Sequence, residues 1–178
     1  MDAACVAAPT HSRRRINLFN LVLIYVRLTN LPGFKELLVS LASQLSEYVA
    51  ACFTGLWVQS HEHDDALAEI TRLCQQESWR LAVWDIAIGL RLPGQGADAP
   101  ADAGGSDPLA AIQSINTLAS PDSSALLVLV NFHKFLGSPE IVQALARQSS
   151  QGKHNRSFVV ILSPIIDIPV ELEKLFVV

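Results

Sequence analysis

Leu126-Leu127-Val128-Leu129-Val130 is an unbroken aliphatic run closed by Asn131. Successive side chains of a strand point to opposite faces, so a strand apolar at every position must be covered on both sides. A parallel sheet with helices on its two faces imposes that condition. Phe158 to Leu162 (FVVIL) repeats the signal thirty residues later.

The segments between and before these runs carry helical spacing. Ser138-Pro139-Glu140 reads as a helix start followed by Ile141, Val142, Leu145 and Ala146, with Gly152 as the expected stop. Asp107-Pro108 is a second start, with Leu109, Ile112, Ile115 and Leu118 on one face. Further upstream, Pro32 and Gly33 break the chain. A helix is predicted over 34–52, ended by Thr54 and Gly55, and a short strand over Leu56–Gln59. His61 to Asp65 reads as a polar turn. A helix then runs from Ala66 to Gln76, with Asp64 and Asp65 suiting the positive end of its dipole. Trp79 to Ile88 reads as the next strand. Residues 91–106, rich in Gly, Ala, Asp and Pro, read as a flexible surface loop. Pro164 and Pro169 bracket Ile165–Ile168, and Leu175 to Val178 is a last apolar run. Strands alternating with helices give a three-layer α/β fold with a mostly parallel sheet. The expected organisation is an N-terminal extension at 1–33 and a single α/β domain at 34–178.

Composition narrows the function. Thirteen Lys and Arg against seventeen Asp and Glu leave a net charge of −4, which argues against a nucleic-acid partner. With 50% hydrophobic and 17% charged residues, the chain has material for a core and is not a disordered polymer. Three cysteines, at 5, 52 and 74, exclude a disulfide scaffold, and no Cys-x-x-Cys is present. Arg13, Arg14 and Arg15 precede an apolar stretch, Ile16–Val26. It lacks a small-x-small cleavage site and is too short to span a bilayer. A core- or partner-docking segment is the favoured reading for residues 13–26, with an interfacial membrane helix and a targeting sequence as the alternatives. The expected compartment is the cytoplasm.

The chemistry-bearing residues are sparse. The loop after the first strand, Ser60–Asp65, would cradle phosphate in a nucleotide-binding fold, yet it holds three acids, no Gly and no Lys. Where a P-loop enzyme places its magnesium-binding Asp, at the end of the Leu126–Val130 strand, this chain has Asn131. His61 and His63 beside Glu62 and Asp64 have the residue types of a metal site but not the His-Glu-x-x-His spacing; a solvated turn accounts for them, and no metal is expected. Gly94-Gln-Gly96 lacks the strand and helix a dinucleotide fingerprint needs. No local nucleophile–base motif is present. In a parallel sheet, ligands collect at the carboxyl ends of the strands. The weak candidates for such a site are therefore His61, His63, Asp85, Asn131, His133 and Ser163. No cofactor is expected.

Several stretches resemble a family of bacterial AAA-type ATPases, with relatives encoded in cyanobacteria and algal chloroplasts. They are Thr54–Leu67 (TGLWVQSHEHDDAL), Trp79–Asp85 (WRLAVWD), Asp107–Ile112 (DPLAAI), Leu126–Leu136 (LLVLVNFHKFL), Ser138–Leu145 and, most specifically, Phe158–Lys174 (FVVILSPIIDIPVELEK). The likeness spans about residues 35–178. It implies a degenerate P-loop-like N-terminal domain ahead of the ATPase module, whose Walker A lysine, Walker B acids and arginine finger would lie beyond Val178. The chain is then expected to be non-catalytic, truncated before the Walker A motif and regulatory. Its expected partner is a protein, either an AAA module or a second copy, and Ile16–Val26 or Phe176–Val178 could supply the apolar patch. The alternative is a small-ligand or nucleotide-binding module using the strand ends.

Overall fold

A computed structural model describes residues 40–93, 105–120 and 123–178, all within one compact unit, Leu38–Val178. The 1–33 extension, the Arg13–Val26 segment and residues 94–104 of the expected loop lie outside the described residues.

In chain order the elements are α1 (Leu41–Ala50), β1 (Gly55–Gln59), α2 (His63–Gln76), β2 (Arg80–Asp85), β3 (Gly89–Arg91), α3 (Pro108–Leu118), β4 (Ala125–Val130), a 3-10 turn (Phe132–Phe135), α4 (Pro139–Asn155), β5 (Ser157–Ser163) and β6 (Phe176–Val177). The six strands form one sheet in the order β3-β2-β4-β5-β1-β6. Every pairing is parallel except β2 with β3.

The aliphatic runs behave as their composition demands. All six residues of β4 and all seven of β5 are buried. Their side chains alternate between two cores. Leu127, Leu129, Val159 and Ile161 face a core with α3, α4 and Leu172. Leu126, Val128, Val130, Phe158, Val160 and Leu162 face a second core with α1 and α2. This two-sided burial is the three-layer arrangement that Leu126–Val130 predicted. Trp84 meets Phe132 and Phe135 edge-on, at centroid distances of 5.3 and 5.6 Å, and so fastens the 3-10 turn to the first core.

Several boundaries differ from the sequence reading. Within the described residues the first helix starts after Ser40, whose side chain accepts from the Ser43 N–H, and ends at Ala50. The strand expected over Trp79–Ile88 stops at Asp85. There the Asp85 carboxylate accepts the Ala87 N–H at 2.8 Å, and Gly89 at φ 82 reverses the chain into the antiparallel edge strand. Ile86 and Ile88 fit the alternation but sit exposed in that turn. Arg91 thus ends a strand rather than opening a loop.

Gly152 does not stop its helix. The helix runs on to Asn155 and is capped by Arg156 in the left-handed region. Gly152 is there because a side chain would strike the carbonyl of Ser157 and the Thr54 side chain. The terminal Phe176–Val178 run is not a docking patch as a whole: Phe176 is buried against Trp57, and β6 pairs with β1.

Candidate functional site

The connections decide where a ligand crevice would open. The helix after β1 covers the face of the second core, whereas the segment after β5 crosses to the first, where Ile168 and Leu172 pack. Strands β1 and β5 are neighbours with Gln59 opposite Ser163. Adjacent strands whose connections leave to opposite faces define the switch point at which α/β sheets receive ligands.

In this chain the crevice is bridged by its own walls. The Trp57 indole N–H donates to Ser163 Oγ at 3.0 Å and to the Ile165 carbonyl at 3.1 Å. Ser163 Oγ donates to the same carbonyl at 2.6 Å. The Gln59 amide donates to the Pro164 carbonyl at 3.0 Å, and the Ser60 N–H to the Ser163 carbonyl at 3.0 Å. These bonds join the tips of the two strands and fix residues 163–165 in one conformation.

The six candidate residues share this end of the sheet but do not form one site. Ser163 is fully buried and committed to the bridge. Asp85 is spent on the turn to Ala87, two strands away. Asn131 adopts the left-handed conformation, donates its N–H to the Leu162 carbonyl at 2.8 Å and turns the chain into the 3-10 segment. His61 is exposed, on a shallow depression that it shares with Glu62, His63, Asp64 and Asp65.

His63 is not part of a strand-end turn. It is the first residue of α2, which starts three residues before the expected Ala66. The i, i+2 geometry that would aim His61 and His63 together from a strand is therefore lost. Glu62 caps this helix without a side-chain bond, and Asp64 and Asp65 occupy its first turn, where a phosphate would meet negative charge. Among the described residues no group of three or more His, Cys, Asp or Glu side chains is placed to hold a metal ion.

The fold brings His63 within electrostatic reach of His133. His133 is buried, and neither its Nδ1 nor the Nε2 of His63 has a hydrogen-bond partner among the described residues. Burial lowers the His133 pKa from its ordinary value; Lys134 and His63 lower it further, and Asp167 opposes them. Burial also pushes the Cys74 thiol up to about 12, which makes it an inert core residue. Trp57 and Gln59, which close the crevice, escaped the sequence reading. Their signal was a Trp and a Gln on one strand whose other neighbours are apolar.

Residues 41–178 match the family described as the SpoVK-like AAA ATPase, N-terminal domain, and the chain belongs to that family. Comparisons with curated proteins and with solved structures give no match. Among the described residues, no helix is long and apolar enough to cross a membrane.

Proposed function

We propose that this domain acts by protein contact: a non-catalytic N-terminal domain that regulates or assembles an AAA ATPase module, or pairs with its own copy, in the cytoplasm. The observation that carries this reading is the bridged crevice. The Trp57–Ser163–Ile165 and Gln59–Pro164 hydrogen bonds occupy the place where a substrate or nucleotide would enter. Membership of an AAA N-terminal family supports an AAA module as the partner.

Sedimentation velocity tests the reading, first with the chain alone and then mixed with the AAA module of a family member. The expected result is a concentration-dependent heavier species in one of the two. A monomer at all concentrations, unaffected by the module, would sink the reading.

The second reading is a small polar ligand held between His63 and His133, favoured by their two buried, unpartnered ring nitrogens. Calorimetric titration with ATP, ADP and cyclic nucleotides, silent for each, removes its nucleotide form. A saturable heat lost in His133→Phe supports it.

A further inference from the structure

Parallel pairing puts the ends of β2, β4 and β5 in line, since Trp84 stands opposite Leu129 and Leu129 opposite Ile161. Beyond these ends the chain exposes aliphatic side chains twice. Ile86 and Ile88 occupy the turn after β2; Ile165 and Ile166 follow β5. Two inter-strand spacings, about 10 Å, separate the strands β2 and β5 from which the two groups extend. Between them Phe132 and His133 turn inward and are buried.

None of these four half-exposed isoleucines belongs to either core, and together they make this sheet end apolar. Nor are they on a loose loop. The Ile165 carbonyl is held from two sides by Trp57 and Ser163, and the Ile86 turn is pinned by Asp85. A surface fixed in advance loses little conformational entropy on binding.

The charge around this end is mostly negative. Glu62, Asp64 and Asp65 stand beyond β1, Asp85 ends β2 and Asp167 follows Ile166, while Lys134 in the turn after β4 carries the opposite sign. We infer that the isoleucine end of the sheet is a docking surface for a basic amphipathic segment of a partner protein. The partner's aliphatic side chains cover Ile86, Ile88, Ile165 and Ile166, and its Lys or Arg residues meet the surrounding carboxylates. Apolar contact supplies the affinity, and the carboxylates select the partner and speed its arrival. An anionic membrane is repelled by the same carboxylates. This inference rests on the contact reading above and gives it a surface and a partner chemistry.

The probe is a synthetic amphipathic Leu/Lys peptide, with a Leu/Glu peptide of equal length as its counterpart, titrated into the full chain by fluorescence anisotropy. The Leu/Lys peptide is expected to bind saturably and the Leu/Glu peptide not at all. The double variant Ile165→Ser, Ile166→Ser should weaken binding about tenfold, the effect of losing a buried apolar anchor. The double variant Glu62→Gln, Asp167→Asn should weaken it about threefold at low salt and flatten its salt dependence. Far-ultraviolet circular dichroism checks that each variant is folded. Equal binding of both peptides, wild-type affinity in the folded isoleucine variant, or preferential binding to phosphatidylserine vesicles overturns the inference. The same variants in the sedimentation experiment separate the two proposals. If the wild type joins the AAA module and the isoleucine variant joins it equally well, the surface is wrong and the contact reading stands. If the wild type does not associate, the contact reading itself fails.

Discussion

Replacing Gly152 with alanine sets two effects of opposite sign against each other. Gly152 lies inside α4, and its φ is not positive, so helix propensity alone favours alanine by about 1 kcal/mol. The added methyl, however, would overlap the Ser157 carbonyl oxygen and stand 3.0 and 3.1 Å from the Thr54 side-chain carbons. The Ser157 carbonyl belongs to the start of β5, which is wholly buried and cannot shift without disturbing its pairing with β1 and β4. Overpacking of this kind costs about 1–3 kcal/mol. Moving Thr54 also endangers its buried hydrogen bond to the Ser149 carbonyl, now 2.5 Å, at about 1–3 kcal/mol more. The balance is a net destabilisation of about 1–5 kcal/mol. With a urea slope of about 2 kcal/mol/M, the unfolding midpoint should fall by about 0.5–2.5 M with the slope unchanged. A midpoint equal to or above that of the parent would refute the close approach of α4 to β5 and restore Gly152 as an ordinary helical position.

Three further outcomes follow from the same packing. Leu172→Ala should cost about 2–5 kcal/mol in chemical denaturation, because Leu172 is fully buried in the first core; a change under about 1 kcal/mol would place the 168–175 segment on the surface. Cys74, with its thiol pushed up to about 12 by burial, should resist a disulfide reagent at neutral pH until the protein unfolds, and labelling at the rate of a free thiol would contradict its burial. His133 carries a folded pKa below its ordinary 6.5, so below that pH the unfolded chain binds more protons than the folded one. Stability should therefore be intact above about 6.5 and decline as the pH falls through the folded value, with His133→Phe flattening that decline in pH-dependent melts; a wild-type profile flat over this window would contradict it.

The core of the fold was legible because burial on both faces leaves a direct trace in composition. Leu126–Val130 and Phe158–Leu162 could not be anything but covered strands, and the alternating helix starts at Asp107 and Ser138 placed the layers. Local punctuation was read less well. Gly152 looked like a stop because a glycine near a helix end usually is one; only the fold brings Ser157 and Thr54 against it. Ile86 and Ile88 continue a strand alternation, but the Asp85 side chain and Gly89 turn the chain first. The candidate site suffered similarly. Asp85 and Ser163 end strands and Asn131 follows one, whereas His63 opens a helix, and hydrogen bonds formed across 106 to 108 residues of chain commit Ser163 and the Ile165 carbonyl to Trp57. No local pattern announces such a bond. The absence of Gly and Lys from Ser60–Asp65 was plain from the sequence, and the acidic first turn of α2 gives it a physical form.

The proposed contact surface for an AAA module is the isoleucine end of the sheet. Backbone hydrogen exchange, followed by mass spectrometry on the full chain with and without an AAA module of the family, addresses this directly. The prediction is slowed exchange in peptides covering 85–88 and 164–170, with the helical faces of α1, α3 and α4 unchanged. Protection confined to those helices, or exchange identical in the presence of saturating module, would contradict it.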